Sequence, residues 1–273
     1  MFSEPTDSNQ PASDKCMVTY LSEPSAYPVM ANTWYEIAAS NHFWFKWRFN
    51  IIGNLLPNNF KWGTILDIGC GNGILGRQIQ SLYGVTASGC DLDQDQLRSI
   101  TYGYKQLYYY DIHQREARFE NHFSTILLMD VLEHIENPEQ FLSSVYFHLS
   151  PTGRLIINVP ALQIFYSKYD TLVGHLRRYD INFLRQELEL AGFEIENAGY
   201  WGMTLIPLLL IRKYILYFTL DEAAIKMGFQ PLSPFIGQLL DYLRKLETTL
   251  FTRTPIGSSL MIIAKKHVQA PKG

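Results

Sequence analysis

Ile65-Leu66-Asp67-Ile68-Gly69-Cys70-Gly71-Asn72-Gly73-Ile74-Leu75-Gly76 is an apolar run that meets an acid and then places glycine at alternate positions. Such a run reads as a buried strand that stops abruptly at a helix start. Glycine is required where the backbone takes positive φ, or where a ligand must touch main chain with no Cβ in the way. A nucleotide-like cofactor lying on a strand-to-helix turn asks for both.

Outward from this turn the chain alternates strand and helix. The spacing predicts strands at Ile65–Ile68, Val85–Cys90, Leu107–Tyr110, Ser124–Met129, Arg154–Val159, Phe193–Asn197 and Ser259–Ala264. Helices fall at Leu75–Tyr83, Gln94–Thr101, Pro138–Leu149 and Asn182–Ala191. This alternation implies right-handed crossovers and a mostly parallel α/β sheet covered on both faces. Residues 1–25, rich in Ser, Pro, Asp, Asn and Gln, read as a mobile tail. Residues 26–60 read as an N-terminal helical cap dense in aromatics, among them Trp34, Trp44 and Trp47. The core then runs over 61–202, a helical insertion over 203–257, and the last strand and tail over 258–273.

The 273 residues are 47% hydrophobic and carry a formal net charge of -3. A sizeable core is affordable, and no basic field points to nucleic acid. No run is apolar enough for a membrane span, and no signal-like N-terminus is visible. Cys16, Cys70 and Cys90 are odd in number and unpaired in spacing, which favours a reducing cytoplasm.

The glycines at 71, 73 and 76 also satisfy a dinucleotide fingerprint, with Asp91 and Asp93 where a ribose-binding acid would lie. An NAD-dependent oxidoreductase is therefore a live alternative on the loop alone. Further acids shift the balance. Asp67 lies late in the first strand, and Asp91, Asp111 and Asp130 end the next three. Ligands of open α/β sheets bind outside the carboxyl ends of the strands. A ring of acids there repels a pyrophosphate, and it suits a cofactor with an ammonium, a sulfonium, ribose hydroxyls and an adenine amine. S-adenosylmethionine is such a cofactor.

Residues 65–73, Gly-Cys-Asp-Leu-Asp (89–93), Tyr-Tyr-Asp-Ile (109–112) and Met-Asp-Val-Leu-Glu-His-Ile (129–135) resemble the successive motifs of class I S-adenosylmethionine-dependent methyltransferases. The resemblance spans about 34–200 plus the final strand. It implies a Rossmann-like, doubly wound, seven-stranded sheet, mostly parallel with an antiparallel last strand. It also implies that Gly69, Cys70, Gly71 and Gly73 line the methionine part of the cofactor, with Asp67 supporting the loop. Asp91 would accept from the ribose hydroxyls and Asp111 from the adenine amine. Leu92 and Ile112 would pack on the ring, and Met129 and Asp130 would close the site. S-adenosylhomocysteine would be the product.

Asn41–Arg48 and Gly174–Tyr179 sharpen the resemblance toward a bacterial subgroup associated with sugars, lipids and secondary metabolites. Arg48 is a candidate partner of the cofactor carboxylate. A hydroxyl acceptor needs a general base or a metal to lower its pKa. His134 and His175 are the candidate bases. Asp130-x-x-Glu133-His134 is similar to the metal cluster of ubiquinone-type O-methyltransferases, with His175 a further candidate ligand. The favoured expectation is nevertheless no metal, with Glu133 and His134 bracing the helix start. Transfer to an O or N acceptor on a small molecule, glycan or lipid-linked metabolite is expected; a non-catalytic binding protein is the other alternative. Within the insertion, Leu205–Leu220 is an apolar helix broken by Arg212 and Lys213, followed by an amphipathic Ile236–Phe251. It would serve as a lid or homodimer face, with peripheral membrane contact through 203–220 as the alternative.

Overall fold

A computed structural model describes residues 16–23, 42–221, 234–251 and 253–267. Strand β2 (Ile65–Ile68) is buried at every position, as a central strand covered on both faces must be. Around it lie β1 (Val18–Tyr20), β3 (Ala87–Asp91), β4 (Tyr104–Tyr109), β5 (Phe123–Met129), β6 (Leu149–Pro160), β7 (Phe193–Trp201) and β8 (Ser259–Lys266). The sheet order is β1-β4-β3-β2-β5-β6-β8-β7. All neighbours pair in parallel except β8, which is antiparallel to both β6 and β7.

The helices are α1 (Phe43–Leu55), α2 (Ile74–Tyr83), α3 (Gln94–Ser99), α4 (Pro138–His148), α5 (Lys168–Leu172), α6 (Ile181–Leu190), α7 (Ile206–Tyr217) and α8 (Pro234–Leu250). Alternate residues of each strand enter opposite cores. Leu66, Ile126 and Leu128 join α4 and α6 on one face, while Ile65, Leu127 and Met129 join α1 and α2 on the other. That period-two division is what a doubly wound sheet requires.

The sheet has eight strands where seven were expected. The eighth, β1, falls inside the stretch read as a tail. It adds to the edge at β4, where Gln106 Nε2 donates to Thr19 Oγ1 (2.9 Å) and Cys16 Sγ donates to Tyr104 O (3.1 Å). A three-residue edge strand is held by main-chain pairing, so it leaves little apolar pattern to read. The remaining tail, and 26–41 of the expected cap, lie outside the described residues. Among the described residues, no helix is long and apolar enough to cross a membrane.

The insertion sits over the carboxyl edge of the sheet. Buried Glu247 of α8 accepts from Gly202 N (2.6 Å) and Thr204 N (2.9 Å), tying α8 to the chain entering α7. Trp201, at the end of β7, lies under Trp44 of α1, ring centroids 4.6 Å apart.

Candidate active site

The glycine turn after β2 leaves the strand with Gly69, Gly71 and Gly73 all at positive φ (72°, 51° and 82°). A Cβ on Gly69 would come within 2.6 Å of Val131 Cγ2, so conformation and space both demand glycine there. Two acids hold the turn. Asp67 accepts from the Tyr104 hydroxyl (2.5 Å), which in turn accepts from Gly76 N (3.1 Å). Burial pushes the Asp67 carboxyl up to about 7, against the pull of Tyr104 and Arg48. Asp91 accepts from Leu92 N and Asp93 N through Oδ1 (2.7 and 2.9 Å) and from Gly71 N through Oδ2 (2.8 Å). With two lone pairs per oxygen, Oδ2 keeps one acceptor site for a ribose hydroxyl.

Asp111 follows β4 and accepts from His113 N (2.9 Å), while its own N–H donates to Ser22 Oγ (2.8 Å). Ile112 is buried beside it and Leu92 half-buried after β3.

Asp130 ends β5 at positive φ (60°), a conformation an Asp tolerates better than most residues. Its Oδ2 accepts from Arg48 Nη1 (2.6 Å) and its Oδ1 from Asn158 Nδ2 (2.6 Å). Trp201 Nε1 donates to Asn158 Oδ1 (2.9 Å), so α1, β5, β6 and β7 are joined by one polar chain. Arg48, read as a partner of the cofactor carboxylate, is thus already paired with Asp130, while its buried Nε–H donates to no described residue.

One turn further, Glu133 is fully buried and neither of its carboxylate oxygens has a hydrogen-bond partner. Burial, and then nearby Asp130, hold its pKa well above the usual carboxylate range. His175 Nε2 lies 3.8 Å from Glu133 Oε1, and His175 Nδ1 lies 2.9 Å from Asp170 Oδ1. His134 Nδ1 is 3.1 Å from Gly174 O. Burial and then His175 lower its pKa to about 4, so the ring is neutral. Ligand atoms of Glu133, His134 and His175 lie within 4.8 Å of one another. Asp170 also binds Arg178 through Nη2 (2.7 Å), and these partners overcome burial to hold its carboxyl well below the ordinary range. Arg178 is therefore committed within the protein rather than offered to an anionic acceptor.

These groups surround a cavity of about 330 Å³. Of the expected cofactor residues, Arg48, Asp67, Gly69, Cys70, Gly71, Met129 and Asp130 line it, together with His134 and His175. Gly73, Asp91, Leu92, Asp111 and Ile112 stand outside it, at the turn and at the ends of β3 and β4. Tyr104, Asn158, Asp170 and Trp201 carry parts of the site that sequence reasoning missed. Asp170 alone had a local signal, the Ser167-x-x-Asp170 capping box of α5.

A glycine turn after the central strand, acids at the ends of the neighbouring strands and a single antiparallel strand define an S-adenosylmethionine-dependent methyltransferase. The cradle fits that cofactor, because Gly69 and Gly71 present bare main chain to the cavity and Asp91 keeps an acceptor site. The chain belongs to the methyltransferase-domain family, whose model matches residues 41–198. A probable S-adenosylmethionine-dependent methyltransferase of Mycolicibacterium smegmatis is 25% identical over 181 residues, 64% of this chain and 68% of that one. The mitochondrial ubiquinone biosynthesis O-methyltransferase of Schizosaccharomyces pombe is 32% identical over 109 residues, 37% of this chain and 39% of its own length. The chain thus matches well under half the length of that relative. Haemonchus contortus phosphoethanolamine N-methyltransferase 2, solved with S-adenosylmethionine, shares the fold with a TM-score of 0.52 and 18% identity over 82% of this chain and 53% of that one.

Proposed function

We propose that the chain transfers the methyl group of S-adenosylmethionine to a hydroxyl oxygen of a small-molecule acceptor, at a site where Glu133, His134 and His175 hold a divalent cation. The buried Glu133 carboxylate carries this reading: both oxygens lack partners and one faces His175 Nε2. Asp170 accepts from His175 Nδ1–H and so fixes the tautomer that leaves Nε2 bare. Glu133 and the bare Nε2 of His175 face each other at 3.8 Å in a buried site, and a divalent cation held there would keep the Glu133 carboxyl ionised against its burial. His134, with Nδ1–H directed at Gly174 O, likewise keeps Nε2 unprotonated. When bound, a divalent cation lowers the pKa of a coordinated hydroxyl.

The chain's own part is placement. The glycine turn and Arg48–Asp130 locate the cofactor, and the cluster locates the acceptor oxygen in line with the methyl carbon. The new O–C bond forms as the C–S bond breaks, the C–S bonding pair stays on the sulfur of S-adenosylhomocysteine, and the hydroxyl proton passes to solvent water. The ubiquinone O-methyltransferase relatives support an oxygen acceptor.

The test is methyl transfer from labelled S-adenosylmethionine to catechol and to phosphoethanolamine, before and after chelation. Catechol methylation that falls on chelation and returns with Mg²⁺ or Mn²⁺ is expected. Chelation-insensitive transfer to the amine alone overturns the reading.

A further inference from the structure

Part of the cavity wall comes from a segment that follows the family match. The match ends at residue 198, and α7, α8 and the turn before them lie beyond it. Leu205, Leu209, Ile215 and Leu216 of that segment line the cavity, joined by Ile236 and Leu240 of α8. Among the described residues, Arg212 is the single charged side chain the segment adds to the wall. Its guanidinium carbon lies 4.7 Å from the centroid of the Tyr169 ring, next in the chain to the Asp170 that holds His175. Leu216 packs there too, against Tyr169 and Val173. At the other end of α7, Leu205 shares a core cluster with Leu240 and Trp201. The wall is therefore charged beside the Glu133–His175 cluster and apolar along the rest of α7 and α8.

We propose that the methyl acceptor is an amphiphile. Its polar head carries the hydroxyl to Glu133, His134 and His175, and an alkyl or alkenyl chain lies along the inner face of α7 toward α8. The position of the head rests on the transfer proposed above, whereas the place of the chain rests on the cavity wall alone. A glycan or a charged substituent against these leucines and isoleucines would give up water for no hydrogen bond. An apolar chain gains there, because each buried methylene is removed from water. The twelve residues of α7 make a wall about 18 Å long, enough for a chain of several carbons. Ile211 and Ile215 belong both to the cavity wall and to the protein surface. A chain longer than the wall therefore emerges into solvent, and affinity levels off with length rather than collapsing.

Catechol, 4-butylcatechol and 4-octylcatechol are titrated by calorimetry into the full chain with S-adenosylhomocysteine present. Methyl transfer to each is followed in parallel from labelled S-adenosylmethionine. Leu209→Asn, in the cavity wall, is compared with Leu210→Asn, whose residue does not line the cavity. Melting temperature and S-adenosylmethionine binding show that both variants are folded. Expected is binding at least roughly tenfold tighter for 4-butylcatechol than for catechol. That gain shrinks in Leu209→Asn and persists in Leu210→Asn. Equal affinity for the three ligands overturns the proposal, and so does a gain that Leu210→Asn removes and Leu209→Asn keeps. Chain-dependent binding without methyl transfer supports the apolar pocket and counts against hydroxyl transfer. Methyl transfer with no dependence on the chain supports hydroxyl transfer and overturns the pocket.

Discussion

His175 Nδ1 and Asp170 Oδ1 lie 2.9 Å apart, and Asp170 is wholly buried on α5. The carboxylate simultaneously takes Ser167 N, Ser167 Oγ and Arg178, so it has no freedom to turn away. This rigidity sets both the tautomer and the direction of the His175 ring.

Asp170→Asn therefore has two effects that separate. It replaces the charged acceptor that selects the His175 tautomer with a neutral amide, whose NH2 turned toward Nδ1 selects the other tautomer, and methyl transfer falls by roughly 10²-fold or more. It also leaves buried Arg178 without its charge partner, costing about 3–5 kcal/mol of stability. His175→Gln keeps the Asp170–Arg178 pair, so it loses the activity with far less of the stability. Steady-state kinetics and denaturant unfolding on both variants check the split.

Asp67 makes stability depend on pH in an unusual direction. Its folded pKa of about 7 exceeds the ordinary 3.8, so the folded protein binds more protons between those values. Stability of the cofactor-free protein is therefore greatest below that window and declines as pH rises through it, by at most about 4 kcal/mol from this group. Asp67→Asn, which still accepts from Tyr104, flattens that segment of the pH profile of urea unfolding.

Gly69→Ala places a Cβ where φ is 72° and Val131 Cγ2 is 2.6 Å away. The left-handed conformation alone costs about 1–2 kcal/mol. Either the turn or Val131 must shift. A fall in S-adenosylmethionine affinity larger than the fall in stability is expected, read by calorimetry and thermal unfolding.

Asn158→Leu breaks the polar chain from Arg48 to Trp201 at its middle. The Trp201 indole N–H is left unsatisfied in the core, at about 1–3 kcal/mol. Among the described residues, Asp130 keeps only Arg48 as a side-chain partner. Reduced stability with weakened cofactor binding is expected; unchanged binding would place Asn158 in a purely structural role.

Much of the fold was legible because it depends on local pattern. The run 65–76, with an acid ending each of the next three strands, announced the sheet edge and the cofactor turn. Glu133, His134 and His175 were each visible as chemistry-bearing residues. Their convergence was raised only through the resemblance, with His175 as a further candidate ligand, since His175 follows β6 and reaches Glu133 only when the loop after β6 folds back across the end of β5. Asp170, Asn158 and Trp201 carried little or no motif, because a buried hydrogen bond between distant segments leaves no spacing to read. The edge strand β1 escaped notice for the opposite reason: main-chain pairing needs no particular side chains.

The sequence alone determined the alternating strands and helices, the glycine turn and the ring of acids, because each rests on a period or a local conformational demand. Only the tertiary structure decided three relationships. It joined Arg48 to Asp130, it brought the partnerless Glu133 carboxylate to face His175, and it set α7 with one face on the cavity and the other in solvent. Such relationships come from the packing of segments far apart in the chain, where proximity is a property of the whole fold.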